Sequence, residues 1–461
     1  MSLKSSQFFR ALLIVVIILL LQIPTVMIQG IVRERQSLRA EAISDITIKR
    51  GAQQTVVGPR LLVPYFKRTT VGSGEKQTIK TETQYGSFLP SELTIDGDLS
   101  TELLYRGIFE VPVYRGELAI AGSFKKPDLS PWGVDPKDIQ WNNAELVIEI
   151  ADAHAIQNQA KLGWNTQQVP FQPGLGKYGG NLNPGNAGIF ASLKNQMSAD
   201  TFQFNIPLTL NGSERLTFAP MGEMTTVKLK ADWPSPSFQG LWLPSDRTIT
   251  DSNFTALWKI PSLGRNFPQF WNSDKPVTSD VIQGSVFGVD LISPVDNYRM
   301  TERSLKYNLL FLLLTFVTFW LFEASTRLSV HPLQYLMVGA AMTMFYLLQL
   351  ALSEHIGFDA AYGVASGAVV LLITAYSVAV LQAKGRGGII GVMEAVLYGY
   401  LYFVLANESY SLLIGSLGLF VFLAIAMYFT RNMDWFVGNP PNNSSIPPNL
   451  SSATTLPPEA N

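Results

Sequence analysis

Residues Ala11–Ile28 read ALLIVVIILLLQIPTVMI, an apolar run interrupted by Gln22 and Pro24 and preceded by Lys4 and Arg10. This is the charged start and apolar body of a secretory signal, yet no small-residue exit site precedes Arg33. An uncleaved signal anchor is therefore expected. Pro24 does not argue against it, because neighbouring helices can satisfy the carbonyl that a proline frees in a membrane helix.

Outward from this segment the apolarity is uneven. It returns in five later runs, Lys306–Phe322, Pro332–Leu352, Ala360–Gln382, Ile389–Ala406 and Leu412–Phe429, each near the ~20 residues that cross a bilayer. Between them residues 32–303 read as a globular domain. The expected organisation is an anchor over 1–31, a large β-rich domain over 32–303, a five-span bundle over 304–430 and a disordered tail over 431–461. The fold class is thus a six-span α-helical membrane bundle joined to an all-β, sandwich-like domain.

Direction follows from the short loops, since lysine and arginine are retained in the cytoplasm while long domains cross regardless of charge. Lys4, Arg10, Arg327, Lys384, Arg386 and Arg431 fall on one side. The opposite loops, Ser353–Asp359 and Asn407–Tyr410, carry Glu354, Asp359 and Glu408 and no basic residue. Both termini are expected in the cytoplasm, with the large domain outside. The bilayer is the first partner this implies.

Composition excludes several classes. The chain has no cysteine, so disulfides, thiolate ligands and cysteine nucleophiles are excluded. A net charge of -1 leaves no field for nucleic acid. An exported domain without disulfides must rely on its core, and roughly 270 residues suffice, burying about 75% of their unfolded surface.

Within that domain period two dominates. Leu93, Ile95 and Leu99 alternate with polar residues, as do Val227, Leu229 and Trp233, which marks half-buried strands. Glu145–Ile150 and Phe254–Ile260 read as further strands. Phe202 to Leu210 alternates up to Asn211-Gly212, which predicts a two-residue hairpin turn toward Leu216 and Phe218. Pro207 makes the first of those strands an edge strand. Residues Ile31–Lys49 keep a helical pattern, so the first membrane helix is expected to continue until Gly51. Pro173–Gly188 is a long loop.

Candidate chemistry is sparse. His154, His331 and His355 show no metal-binding spacing, and His331 before Pro332 reads as a helix cap at the headgroups. Gly363-Val364-Ala365-Ser366-Gly367 resembles a serine-protease motif but lacks a histidine at matching depth, and Gly363 and Gly367 read as a helix-packing face. Glu394 is the carboxylate inside a span, and such a residue is a functional candidate by default. Pairing with Lys384 or Arg386, or snorkelling, is the structural alternative. Glu323, Glu354 and His355 are polar candidates at span ends. No cofactor, metal or catalytic residue is expected.

The chain resembles the CreD family of bacterial inner-membrane proteins. The likeness rests on Gln54–Tyr65 (QTVVGPRLLVPY), on Ser237–Gly240, Leu243-Pro244 and Phe254–Trp258, and on Phe287–Asp290 with Pro294–Tyr298, Arg303 and Lys306-Tyr307. It continues through Gln334-Tyr335, Phe345–Leu348, Glu354–Phe358, Ala361-Tyr362, Tyr398–Tyr402 and Gly415–Leu417. The resemblance implies an inner-membrane protein linked to cell-envelope integrity, to stress response under a two-component system and to colicin tolerance. It implies no enzymatic activity and transfers no catalytic residue. The function expected is thus envelope integrity, through a periplasmic domain that engages an envelope protein. A transporter or channel using the later spans is the alternative, and an intramembrane or periplasmic hydrolase around Ser366 the least favoured.

Overall fold

The computed structural model describes residues 3–71, 78–180, 182–183, 185–292, 297–326, 330–381 and 384–431. Arg431 apart, the tail expected to be disordered lies outside them. The chain divides into two compact units. One takes the first 32 residues together with those from Arg299 onward, and the other runs from Arg33 to Tyr298.

Eight helices are described: α1 Leu3–Arg50, α2 Ser279–Gln283, α3 Asn297–Lys306, α4 Asn308–Thr326, α5 Pro332–Ile356, α6 Phe358–Leu381, α7 Lys384–Ala406 and α8 Ser411–Thr430. Helix α1 runs unbroken through Pro24 for 48 residues. It stops where Gly51 takes a φ of 129°, a backbone state that only glycine adopts cheaply. The outward continuation expected from Ile31–Lys49 is present.

Five helices among the described residues are long and apolar enough to cross a membrane: α1, α5, α6, α7 and the segment Glu408–Tyr428 that takes in most of α8. The six-span expectation is met in five places. The sixth, expected over Lys306–Phe322, falls on α4, an apolar helix of 19 residues that is not among those five.

The second unit is a large β domain of two sheets. In the nine-stranded sheet the order is Pro236–Gly240, Phe287–Leu291, Arg215–Phe218, Gln54–Val71, Glu145–Ile150, Gly188–Ser192 and Gln172–Pro173, with Thr78–Phe88 hairpinned onto Gln54–Val71 and Phe270–Asn272 onto Thr78–Phe88. In the eight-stranded sheet it is Asp246–Ile249, Phe254–Pro261, Met224–Ala231, Glu92–Arg106, Phe109–Lys125, Thr201–Ser213, Lys161–Trp164 and Gln167–Pro170. One apolar core draws on both sheets, with Leu61, Leu146, Phe218 and Phe287 from the first and Ile95, Phe124, Trp164, Phe202 and Trp258 from the second. The alternation read from the sequence reappears as strict burial of every other side chain in Glu92–Leu99, and in Thr201–Leu208.

Two expectations are corrected. Asn211-Gly212 is no hairpin turn. The strand Thr201–Ser213 continues through both residues, pairing Asn211 with Arg115 and Gly212 with Tyr114. Gly212 is needed because a Cβ there would strike the Tyr114 ring. The chain turns instead at Glu214, which has a φ of 59°, and Arg215–Phe218 crosses into the other sheet to lie parallel to Gln54–Val56. Nor does Pro207 mark an edge strand. Its strand is flanked on both sides, but Lys161–Trp164 pairs only with Phe204 and Asn205, so no partner carbonyl requires an N–H at residue 207.

Candidate functional site

The membrane unit is organised around one face of α7. Its buried side chains are Gly387, Ile390, Gly391, Glu394, Tyr398, Leu401, Val404 and Leu405, the three- and four-residue spacing of a single helical stripe. A Cβ on Gly387 would run into the backbone of Val378, and one on Gly391 into Thr374. The missing side chains therefore let α6 and α7 approach closely. Gly339 does the same on α5, against Leu21 and Phe316.

The packing role expected of Gly363 and Gly367 is not taken within this chain. A Cβ on either would meet nothing within 4 Å among the described residues. Both sit on the exposed face of α6, where Val364 is 55% exposed. The G-x-x-x-G pattern that performs this task is Gly387–Gly391, which the sequence also displays but beside the charged turn Lys384–Arg386.

Glu394 is fully buried, and neither of its carboxylate oxygens has a hydrogen-bond partner among the described residues. Thr315 of α4 stands beside it outside hydrogen-bonding geometry, and its own hydroxyl is also unpartnered. Lys384 and Arg386 are exposed at the start of α7, roughly 12–15 Å away along the helix. The pairing and snorkelling alternatives are therefore not what the structure contains. One turn further, Tyr398 packs on Phe345 of α5 with ring centroids 4.7 Å apart, and its carbonyl accepts a 2.7 Å hydrogen bond from Tyr362 of α6.

The other candidates are spread out. Glu323 is buried and accepts from the Tyr335 hydroxyl at 3.1 Å and from the Val330 amide at 3.3 Å. Glu354 is half-buried and His355 exposed, both in the last turn of α5. His331 caps α5 as expected, its Nδ1 accepting from Leu333 N–H at 3.2 Å while Gln334 accepts from His331 N–H at 2.8 Å. The Ser366 hydroxyl donates to Gly363 O on its own helix at 3.2 Å. His154 is exposed beside Asp152. Glu394 and Glu323 thus sit on different helices, α7 and α4, in separate surroundings.

Sequence reading missed the polar centre of the β domain. Arg60, on Gln54–Val71, meets Glu149, on Glu145–Ile150, at 2.8 Å with both side chains almost wholly buried. The guanidinium also donates to Gly180 O at 3.0 Å and Ser87 Oγ at 3.3 Å and lies over the Trp271 ring. Glu149 accepts from the Leu182 and Asn183 amides at 2.6 and 2.9 Å. Burial lowers the Arg60 pKa and raises that of Glu149, and their mutual attraction opposes both shifts. The pair ties the loop before Gly188 to the central strands. Arg60 stands within the Gln54–Tyr65 string, but its partner, 89 positions away, left no local signal.

The family model for the inner membrane protein CreD matches residues 6–436. The chain is 30% identical over 435 residues to the inner membrane protein CreD of Escherichia coli (strain K12), covering 94% of this chain and 95% of that one. An apolar helix, a large β domain and a cluster of apolar helices thus lie within one continuous match, and the chain belongs to the CreD family.

Proposed function

We propose that this chain is an inner-membrane protein that supports cell-envelope integrity, its β domain standing on the periplasmic side and engaging an envelope partner. The observation that carries the reading is the family match across residues 6–436, which includes both units rather than the helices alone. The short-loop charges support termini in the cytoplasm. In this reading α4, whose 19 residues extend about 28 Å, is the sixth crossing of a hydrocarbon core roughly 30 Å thick. The β domain is then tethered at both ends, by α1 and by α3–α4. That arrangement suits a domain that holds a partner near the membrane. No catalytic role is assigned to it.

The test is deletion of the gene, followed by measurement of detergent sensitivity and uptake of a dye that intact envelopes exclude. Both should rise and return to normal on supplying the full chain. Envelopes unchanged under every stress tried would overturn the reading.

A further inference from the structure

Charge without compensation is costly inside a helical bundle. An ionised carboxylate withdrawn from water loses several kcal/mol of solvation even after relaxation, unless a cation or several donors replace the water. Glu394 has neither, since its two oxygens are unpartnered and no lysine, arginine or histidine among the described residues acts on it. The groups that act on it are neutral: Thr315 from α4 and Tyr398 from α7 itself, with Phe345 and Tyr346 of α5 and Tyr362 of α6 gathered around Tyr398. Glu323, a second buried carboxylate in this unit and on α4, is occupied by Tyr335 and the Val330 amide.

The enclosure selects among counter-charges. A hydrated metal ion or a lysine from a partner needs an opening, whereas Glu394 shows 0% exposure. A proton needs none. We infer that Glu394, with Thr315 beside it, is an intramembrane proton-binding site, filled in the packed bundle. Losing the proton would leave a charge with nothing to meet it, so release requires α7 to part from α4 or water to enter between them. Protonation is thereby coupled to the contact between α4 and α7. This inference does not rest on the envelope reading and can fail or succeed apart from it.

The experiment is infrared spectroscopy of the full-length protein in lipid bilayers at neutral pH, with and without carbon-13 glutamate. The wild type should show the carbonyl band of a protonated, weakly hydrogen-bonded carboxylic acid, shifted by the label and lost in Glu394→Gln. If that variant fails to accumulate, Glu394→Asp serves instead, because its band no longer shifts with labelled glutamate. The absence of such a band in the wild type, or its persistence with the label shift in either variant, would overturn the proposal.

Discussion

At Arg60 and Glu149 two charges are held where each is disfavoured, and the reason for their presence is geometric. The pair gathers five hydrogen bonds from three strands and a loop, so its loss is felt as disorder of that loop as well as energy. Removing one partner of a buried pair leaves the other uncompensated. Glu149→Gln should therefore destabilise the β domain by roughly 3–5 kcal/mol, seen in chemical denaturation followed by tryptophan fluorescence. The double variant Arg60→Met with Glu149→Leu should regain much of that loss, because an apolar pair of similar volume often replaces a buried ion pair without penalty. Equal losses in single and double variants would mean that the loop contacts, rather than the charge, carry the effect. Glu394 differs from this pair, since its isolation within a hydrophobic run was visible in the sequence. What could not be read there was that neither Lys384 nor Arg386 reaches it.

At the scale of elements, the long apolar helices and the strands with strict alternation follow from periodicity, and the failures occur where a residue serves a contact remote in sequence. Asn211-Gly212 has the composition of a turn, yet Gly212 is small because Tyr114 lies across it. The packing glycines make the same point, since two G-x-x-x-G patterns occur and only contact with a neighbour distinguishes them. Gly391→Ile should loosen the α6–α7 contact and cost about 1–3 kcal/mol, as overpacking does, lowering the thermal midpoint of the detergent-solubilised protein. Gly363→Ala should leave that midpoint unchanged or raise it slightly, because the site is open and alanine favours helix by about 1 kcal/mol over glycine. A reversed order would place the close packing on the other face of α6.

For the whole molecule, orientation is the property to establish, and the absence of cysteine makes it directly accessible. Single cysteines at Thr248, Ser409 and Lys384, all exposed positions, can be probed with a membrane-impermeant maleimide on intact spheroplasts. Thr248→Cys and Ser409→Cys should label at once, and Lys384→Cys only after permeabilisation; the opposite pattern would reverse the topology. Sequence alone determined that apolar helices flank a large β-rich domain, because hydropathy and residue period are local properties that each segment carries with it. Tertiary structure decided which strands share a sheet, where the chain crosses between sheets, which glycines bring helices together, and that Arg60 has a counter-ion while Glu394 has none among the described residues. These depend on distances between residues far apart in the chain, which no local pattern records.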